Sequence, residues 1–392
     1  MRSDSRIKSL FPVLSFLAFL LVVPAIGHAE NGADKYTKAE EAFIMDYETG
    51  MVLLSKNADK RMPTSSMSKV MTMYMVFDAI RDGRLTLDDK LYVSEKAWRK
   101  GGSKMFVEVG DEVRIEDLIR GVIIQSGNDA TIVLAEGLAA NEAKFAEIMT
   151  EKAHELGAVN SNFVNASGWP DPDHYSTARD LAIIGQRIIK DFPEFYNYYS
   201  EKEYTYNEIT QRNRNPLLYQ NIGADGIKTG HTEVAGYGLI GSGSRDGRRV
   251  VMVLNGLEST SDRAKEGRRL LSWALRSFKN QTLFKEGEVV EEVPVILGSN
   301  RRIDMIVPET VRASIPKGDE DDISVKISYA APLKAPIEKG QKIGEMTIKI
   351  PEIGTIQTPL LAAQSSEELG FLASVIAKAG LLVTGGPDVR QN

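Results

Sequence analysis

The chain contains no cysteine in 392 residues, which excludes disulfides, thiol catalysis and thiolate-bound metals and leaves a packed core as its source of stability. That absence suits an exported protein, which thereby escapes disulfide errors. Histidine is nearly as scarce. The four histidines, at positions 28, 154, 174 and 231, form no constellation, so a serine–histidine triad or a histidine metal site has little support. Nothing in the sequence calls for a metal or an organic cofactor. Excess positive charge is missing as well: 48 basic against 54 acidic residues leave a net charge of −6. This disfavours nucleic acid as a partner, because phosphate binding needs a basic surface. A locally basic cleft for an anionic polymer stays compatible with that balance.

The length exceeds what one hydrophobic core usually serves and predicts two domains. Residues 1–29 begin with Arg2, Arg6 and Lys8, continue as an apolar run over 10–26 and close on Gly27-His28-Ala29, a small-x-small cleavage pattern. That is the layout of a signal peptide. The other reading is an uncleaved membrane anchor, for which the run is near the lower length limit. Either reading makes the rest of the chain an exported protein, periplasmic or on the cell surface.

Residues 30–279 alternate strand-like and helix-like stretches. Residues 42–45 and 52–54 flank a Glu48-Thr49-Gly50 turn and read as a hairpin. Apolar residues recur at helical spacing over 67–80, 115–124, 130–138, 145–156 and 178–189. Residues 237–241 and 249–254 read as adjacent strands joined by a loop over 242–247, and 264–278 as a closing helix. The fold class is therefore mixed α/β, with sheet strands from both ends of the domain. After Asn280 the helical period stops, and short strand-like runs separated by Gly, Pro and charged turns predict a small all-β domain over 280–362, a spacer or binding module. Residues 363–392 form an amphipathic tail with Leu369, Phe371, Leu372, Val375, Ile376, Ala379, Leu381 and Leu382. It reads as a membrane-surface helix or as a helix packed on its own domain.

Three strings carry the chemistry: Ser66-Met67-Ser68-Lys69, Ser126-Gly127-Asn128 and Lys228-Thr229-Gly230. Each alone is weak, since a Ser-x-x-Lys also occurs at 5–8 and lone examples make N-caps, surface charges and turns. Their order and context make a nucleophilic centre that needs no histidine. If Ser66 opens a helix, Lys69 lies three residues on and on the same face, within reach of the hydroxyl. A serine hydroxyl attacks only when a neighbour takes its proton. Lysine does that only when neutral, which requires burial or a nearby cation, and Lys228 is the expected cation. Ser126 falls between two helices, where a second hydroxyl relays a proton to a leaving amine while the Asn128 carboxamide holds a peptide carbonyl and orients Lys69. Lys228 and Thr229 suit a carboxylate. Gly230 and Gly236 imply a close approach to the backbone, and an exposed strand edge there suits an extended peptide.

With the supporting stretches Pro63-Thr64-Ser65, Asp129-Ala130, Tyr175-Ser176-Thr177-Ala178-Arg179-Asp180, Asp225-Gly226-Ile227 and His231-Thr232, the chain resembles the penicillin-recognising serine hydrolases. More narrowly, it is similar to the low-molecular-mass penicillin-binding proteins of the D-alanyl-D-alanine carboxypeptidase family. The resemblance implies a β-lactamase/transpeptidase-like domain with an antiparallel sheet and a helical subdomain. It implies removal of the terminal D-alanine from peptidoglycan pentapeptides, with β-lactams as inhibitors that acylate Ser66. Lys69 would be the base and Ser126, linked to Lys228, the proton relay. Lys228, Thr229 and Arg263 would hold the terminal carboxylate. Backbone N–H groups of Ser66 and His231 would form the oxyanion hole, beside Gly230, and Arg214 matches a family arginine near the cleft. Location follows as periplasmic, peripheral on the outer face of the inner membrane. A β-lactamase, an endopeptidase that cuts crosslinks and a wall-binding protein without turnover remain as rivals.

Overall fold

Five antiparallel strands carry the site: β1 (Glu41–Asp46), β2 (Val52–Lys56), β3 (Ala224–Thr232), β4 (Gly236–Arg245) and β5 (Arg248–Leu257), in the order β2-β1-β5-β4-β3. They belong to a computed structural model that describes residues 36–384; the signal-peptide reading of 1–29 lies outside the described residues, as do 385–392 at the end of the tail. β1 pairs with β5, Ala42 opposite Leu254 and Ile44 opposite Met252, so the sheet closes only when both ends of the domain meet. All six residues of β1 are buried. Their alternation divides two cores, as the period of two in a strand dictates. Phe43 and Met45, with Val251 and Val253, pack into the helical side, whereas Ala42 and Ile44, with Val250, Met252 and Leu254, pack toward the closing helix.

The longer helices of this domain are α1 (Lys69–Arg81), α2 (Ile115–Ile123), α3 (Asn128–Leu138), α4 (Glu142–Glu155), α5 (Ala178–Asp191) and α6 (Thr260–Arg276). α1 is buried from Lys69 to Ala79, so it is wrapped on every side rather than along one stripe. Asn141, Thr177 and Ser259 cap α4, α5 and α6, each side chain accepting the N–H of the residue three positions on.

The chain passes from α6 straight into the β-rich half. β6 (Phe278–Phe284) pairs with β9 (Val311–Pro316). A six-stranded sheet is built from β7 (Val289–Ile296), β8 (Arg302–Ile306), β10 (Ser324–Tyr329), β11 (Leu333–Lys334), β12 (Lys342–Ile350) and β13 (Gly354–Ala362), in the order β10-β12-β13-β8-β7-β11. The tail helix α7 (Phe371–Thr384) follows. Among the described residues no helix is long and apolar enough to cross a membrane.

The mixed α/β domain and the following all-β half agree with the expected fold class. The differences from the sequence reading have physical causes. Residues 65–68 form a 3₁₀ turn rather than the first turn of α1, so Ser66 precedes the α-helix. The loop expected over 242–247 is mostly strand: β4 runs to Arg245 and turns through Asp246 and Gly247, both at positive φ. A two-residue turn of that hand matches the twist of a hairpin, and the Gly and Ser residues before it are poor strand formers that hid the extension. Lys228-Thr229-Gly230 lies within β3, a strand additional to those read from the sequence, and precedes β4.

A buried polar knot joins the two halves. Arg248 Nε lies 2.7 Å from Asp46, Asn280 Nδ2 donates to Asp46 Oδ1 at 3.0 Å, and Ser314 Oγ donates to Asn280 Oδ1 at 2.9 Å. Asp46 and Arg248 are both buried. Removing one member of a buried pair leaves an uncompensated charge, at about 3–5 kcal/mol. Arg248→Met is therefore expected to lower unfolding stability by about 3 kcal/mol in a denaturant titration; a change indistinguishable from that of an exposed lysine variant would remove the knot from the account of stability.

Candidate active site

Ser66 sits on the 3₁₀ turn Ser65–Ser68 that feeds α1. The turn is wedged between two glycines. A Cβ on Gly168, which lies at φ +77, would meet the Ser65 carbonyl oxygen at 1.8 Å, and a Cβ on Gly230 would meet Ser65 Oγ at 2.1 Å. These are the close approaches that the glycine of the third string foreshadowed. Ser65 is itself at φ 46, a left-handed conformation that a β-carbon makes costly. Local strain of this kind is retained only where the surroundings impose it.

Lys69 is fully buried, and its Nζ faces three acceptors: Ser66 Oγ at 2.9 Å, Asn128 Oδ1 at 2.8 Å and the Ser167 carbonyl at 2.6 Å. A charged ammonium has three N–H bonds, one for each. A neutral amine keeps two of them, for Asn128 and Ser167, and turns its lone pair to Ser66. The pKa of Lys69 is lowered to about 7, first by burial, then by Arg214 and more weakly by Lys100, with Asp129 opposing. Arg214 and Lys100 are cations that the sequence reading did not foresee beside Lys228. Lys228 is itself held well below its ordinary value, by burial first and then by Lys69, Arg214 and Arg263.

Ser126, at φ 59, ends the loop before α3 and accepts from Lys228 Nζ at 3.0 Å; the same nitrogen donates to the Thr229 carbonyl at 3.1 Å. Asn128 opens α3 and donates Nδ2–H to the Gly101 carbonyl at 2.9 Å. Arg214 donates to Ser103 Oγ, and burial lowers its pKa. Arg263, in the first turn of α6, donates to the Gly230 carbonyl at 3.3 Å, lies over the Tyr237 ring at 5.5 Å and keeps a buried Nε without a partner. Thr229 is buried beside Lys228, and the His231 ring stacks on Tyr237 at 3.9 Å. Every residue predicted for the site thus lies on β3, the Ser66 turn, the start of α3 or the elements touching them. Among the described residues β3 is the edge of its sheet, with no neighbouring strand on its outer side.

A family profile described as D-alanyl-D-alanine carboxypeptidase matches residues 28–258, and one described as penicillin-binding protein 5, C-terminal domain, matches residues 278–368. The chain belongs to the D-alanyl-D-alanine carboxypeptidase family. It is 36% identical over 368 residues to D-alanyl-D-alanine carboxypeptidase DacC of Escherichia coli, covering 91% of this chain and 92% of that one. In structure it is similar to penicillin-binding protein 5 of Haemophilus influenzae, with a TM-score of 0.75, 36% identity and coverage of 85% of this chain and 98% of that one. It is also similar to penicillin-binding protein D2 of Listeria monocytogenes in its ampicillin-bound form, with a TM-score of 0.56 and 31% identity over 60% of this chain and 96% of that one. The distances above pair Lys69 with Ser66 and Lys228 with Ser126, and the two lysines are near enough for Lys69 to lower the pKa of Lys228.

Three contributors to this carboxypeptidase-family site escaped the sequence reading. The Asp129 carboxylate accepts the backbone N–H groups of Met105 and Phe106, both at 2.9 Å, and so fixes the loop that carries Gly101 and Ser103. Ser167 contributes only its carbonyl, which no side-chain pattern reports. His174, seen in the sequence as isolated, is buried behind the nucleophile turn. Its Nδ1 accepts from Val164 N at 3.3 Å, so Nε2 carries the proton and donates to Ser68 Oγ at 2.7 Å; Ser68 in turn bonds Thr64.

Burial lowers the His174 pKa to about 4, against an ordinary value of 6.5. The neutral form is the one the fold accepts, so stability is complete above pH 6.5 and falls as pH drops toward 4, where the unfolded chain takes up a proton that the folded chain refuses. At about 1.4 kcal/mol per unit, the loss across that window is about 3 kcal/mol. Denaturant titrations at pH 7 and pH 4 should show the His174→Gln variant losing less stability between the two than the parent. Equal losses would mean that another group governs the acid limb.

Proposed function

We propose that the chain is a serine-type D-alanyl-D-alanine carboxypeptidase that removes the terminal D-alanine from peptidoglycan stem pentapeptides through an acyl-enzyme on Ser66. The observation that carries this reading is the Lys69 amine, buried, lowered to about 7 and 2.9 Å from Ser66 Oγ. Neutral Lys69 takes the Ser66 proton as Oγ attacks the carbonyl of the penultimate D-alanine. Backbone N–H groups of Ser66 and His231 receive the oxyanion. The second N–H of Asn128 Nδ2 is left for a substrate carbonyl. Ser126 gives its proton to the departing amine, and Lys228 replaces it. Once D-alanine has left, water attacks the ester and gives a proton to the neutral Lys228; the ester C–O bond breaks and Ser66 Oγ takes back the proton held by Lys69, which restores both lysines.

The terminal carboxylate distinguishes this substrate from an internal peptide bond. Arg214 lowers the pKa values of Lys69, Lys228 and Arg263, and Lys69 and Arg263 lower that of Lys228, a crowding of cations that a bound anion would relieve. Lys228, Thr229 and Arg263 are the proposed carboxylate clamp, with the unpartnered Arg263 Nε in reserve, and Gly230 lets the strand lie close to the Ser66 turn. The ampicillin-bound relative supports β-lactams as inhibitors that acylate the same serine.

The proposal extends to location and organisation: a signal peptide over 1–29, a catalytic domain over 30–279, an all-β domain over 280–362 and a tail over 363–392. Export to the periplasm and a peripheral seat on the inner membrane follow. Phe371, Leu372 and Ile376 of α7 are 83%, 78% and 72% exposed, which supports a membrane-surface helix over one packed on its own domain.

Incubation with a pentapeptide ending in D-Ala-D-Ala should release D-alanine rapidly while penicillin turns over slowly, and Ser66→Ala should abolish both release and labelling by a fluorescent penicillin. Fast penicillin hydrolysis without peptide cleavage would instead identify a β-lactamase. The pH dependence is a second check. Because Lys69 must lose its proton, kcat/KM should rise with pH through about 7. Arg214→Met removes a cation that depresses Lys69, so its acid limb should move to higher pH. An unmoved limb would detach Arg214 from the base.

A further inference from the structure

Arg263 is a buried cation without a carboxylate. It lies in the first turn of α6 and is 9% exposed, yet among the described residues no Asp or Glu pairs with it. Its Nη1 donates to the Gly230 carbonyl at 3.3 Å, and its Nε is buried with no partner. A buried charge is costly unless something offsets it. What faces this guanidinium is the Tyr237 ring, with its centroid 5.5 Å from Cζ and so within the reach of cation–π attraction.

The local sequence aims that ring. Tyr237 stands in β4 between Gly236, at φ +66, and Gly238, where a Cβ would meet Met67 Cε at 2.5 Å. Gly238 therefore faces the Ser66 turn, and Tyr237, on the alternate side of the strand, packs with Leu239 and Leu270 on the side of α6. The pairing of β4 with β5 shifts register between Tyr237 and Leu239, an irregularity of the kind that re-aims a side chain. On its other flank Tyr237 pairs with His231 of β3, and the two rings stack at 3.9 Å. One ring thus touches both Arg263 and the residue whose backbone N–H is assigned to the oxyanion.

The inference rests on the carboxypeptidase reading, in which Arg263 meets the terminal carboxylate of the substrate. An Asp or Glu placed on Arg263 would occupy its N–H groups and neutralise the charge that the substrate must meet. An aromatic face attracts the cation and occupies none of those N–H groups. We propose that Tyr237 is the positioning residue of the carboxylate clamp: its ring holds the Arg263 guanidinium beside Gly230 and leaves the unpartnered N–H groups to the substrate. The ring does the holding rather than the hydroxyl, so phenylalanine serves in its place.

The test compares the full chain with its Tyr237→Leu and Tyr237→Phe variants on a pentapeptide ending in D-Ala-D-Ala and on the same peptide ending in a carboxamide. Thermal unfolding reports that each variant is folded. On the free acid, Tyr237→Leu should lower kcat/KM roughly tenfold, mainly through KM, because the carboxylate is held in the ground state and the transition state alike. On the amide it should change kcat/KM less than about twofold. Tyr237→Phe should match the parent on both. Where the amide turns over too slowly to follow, the Arg263→Met background supplies the same comparison, since Tyr237→Leu added there should cost nothing further. Equal losses on acid and amide, or a full loss in the Arg263→Met background, would assign the ring to the oxyanion side through His231 and overturn the proposal. A Phe variant as poor as the Leu variant, or a Leu variant as active as the parent, would overturn it too, and the carboxypeptidase reading survives all of these. Absence of D-alanine release by the parent would overturn that reading, and this inference with it.

Discussion

The rest of the site depends on one buried amine. Lys69 has no solvent to stabilise its charge, and each of its three contacts is an acceptor from a different part of the chain: the nucleophile turn, the start of α3 and the loop before α5. Geometry and protonation are therefore one constraint. Moving any of the three acceptors changes both where the amine points and how much it costs to charge it. Burial, not a neighbouring cation, is the larger cause of its lowered pKa, so the packing of α1 within the helical core is part of the chemistry. This explains why α1 is buried on all sides, when a helix at the edge of a domain would be polar along one face.

The sheet sets the other half of the cleft. β3 is held against the Ser66 turn at glycine distance, and its position comes from β4, β5 and β1 in succession, the last from the opposite end of the domain. The two walls of the cleft thus come from different cores: α1, α3 and the 165–170 loop belong to the helical side, β3 to the sheet. Arg214 and Arg263 approach from the sheet side, Lys69 and Lys100 from the helical side, and the cations meet across the gap. A protein with a net charge of −6 concentrates positive charge there, and electrostatic attraction of a carboxylate substrate follows from that local field rather than from the whole surface.

Much of this was legible in the sequence because the chemistry is carried by side chains in short strings. Ser66, Lys69, Ser126, Asn128 and Lys228 were found by type and order, and the resemblance added Arg263 and Arg214. What escaped reading was carried by the backbone or by long-range partners. Ser167 acts through its carbonyl, Gly168 through a missing β-carbon, and His174 through a serine 106 positions away. A further cation acting on Lys69 was missed for the same reason: Arg214 enters from a segment separate from the three strings. In the fold, strongly apolar elements such as β1 and α5 were plain. The extension of β4 through Gly243 and Ser244 was not, since pairing with β3 and β5 overrides the weak strand preference of those residues.

The polar knot at Asp46 and Arg248 gives the β-rich half a fixed relation to this cleft. Asp46 ends β1, Arg248 begins β5 and Asn280 lies on β6, so the ion pair and its hydrogen bonds tie the middle of the catalytic sheet to the first strand beyond α6. A flexible tether would need none of these buried contacts, and the opposite charges of Asp46 and Arg248 offset much of each other's desolvation. Core residues from both halves form one continuous apolar cluster, Leu254 and Leu271 together with Ala313 and Ile315. The two halves therefore pack against each other through this seam rather than hanging on a tether.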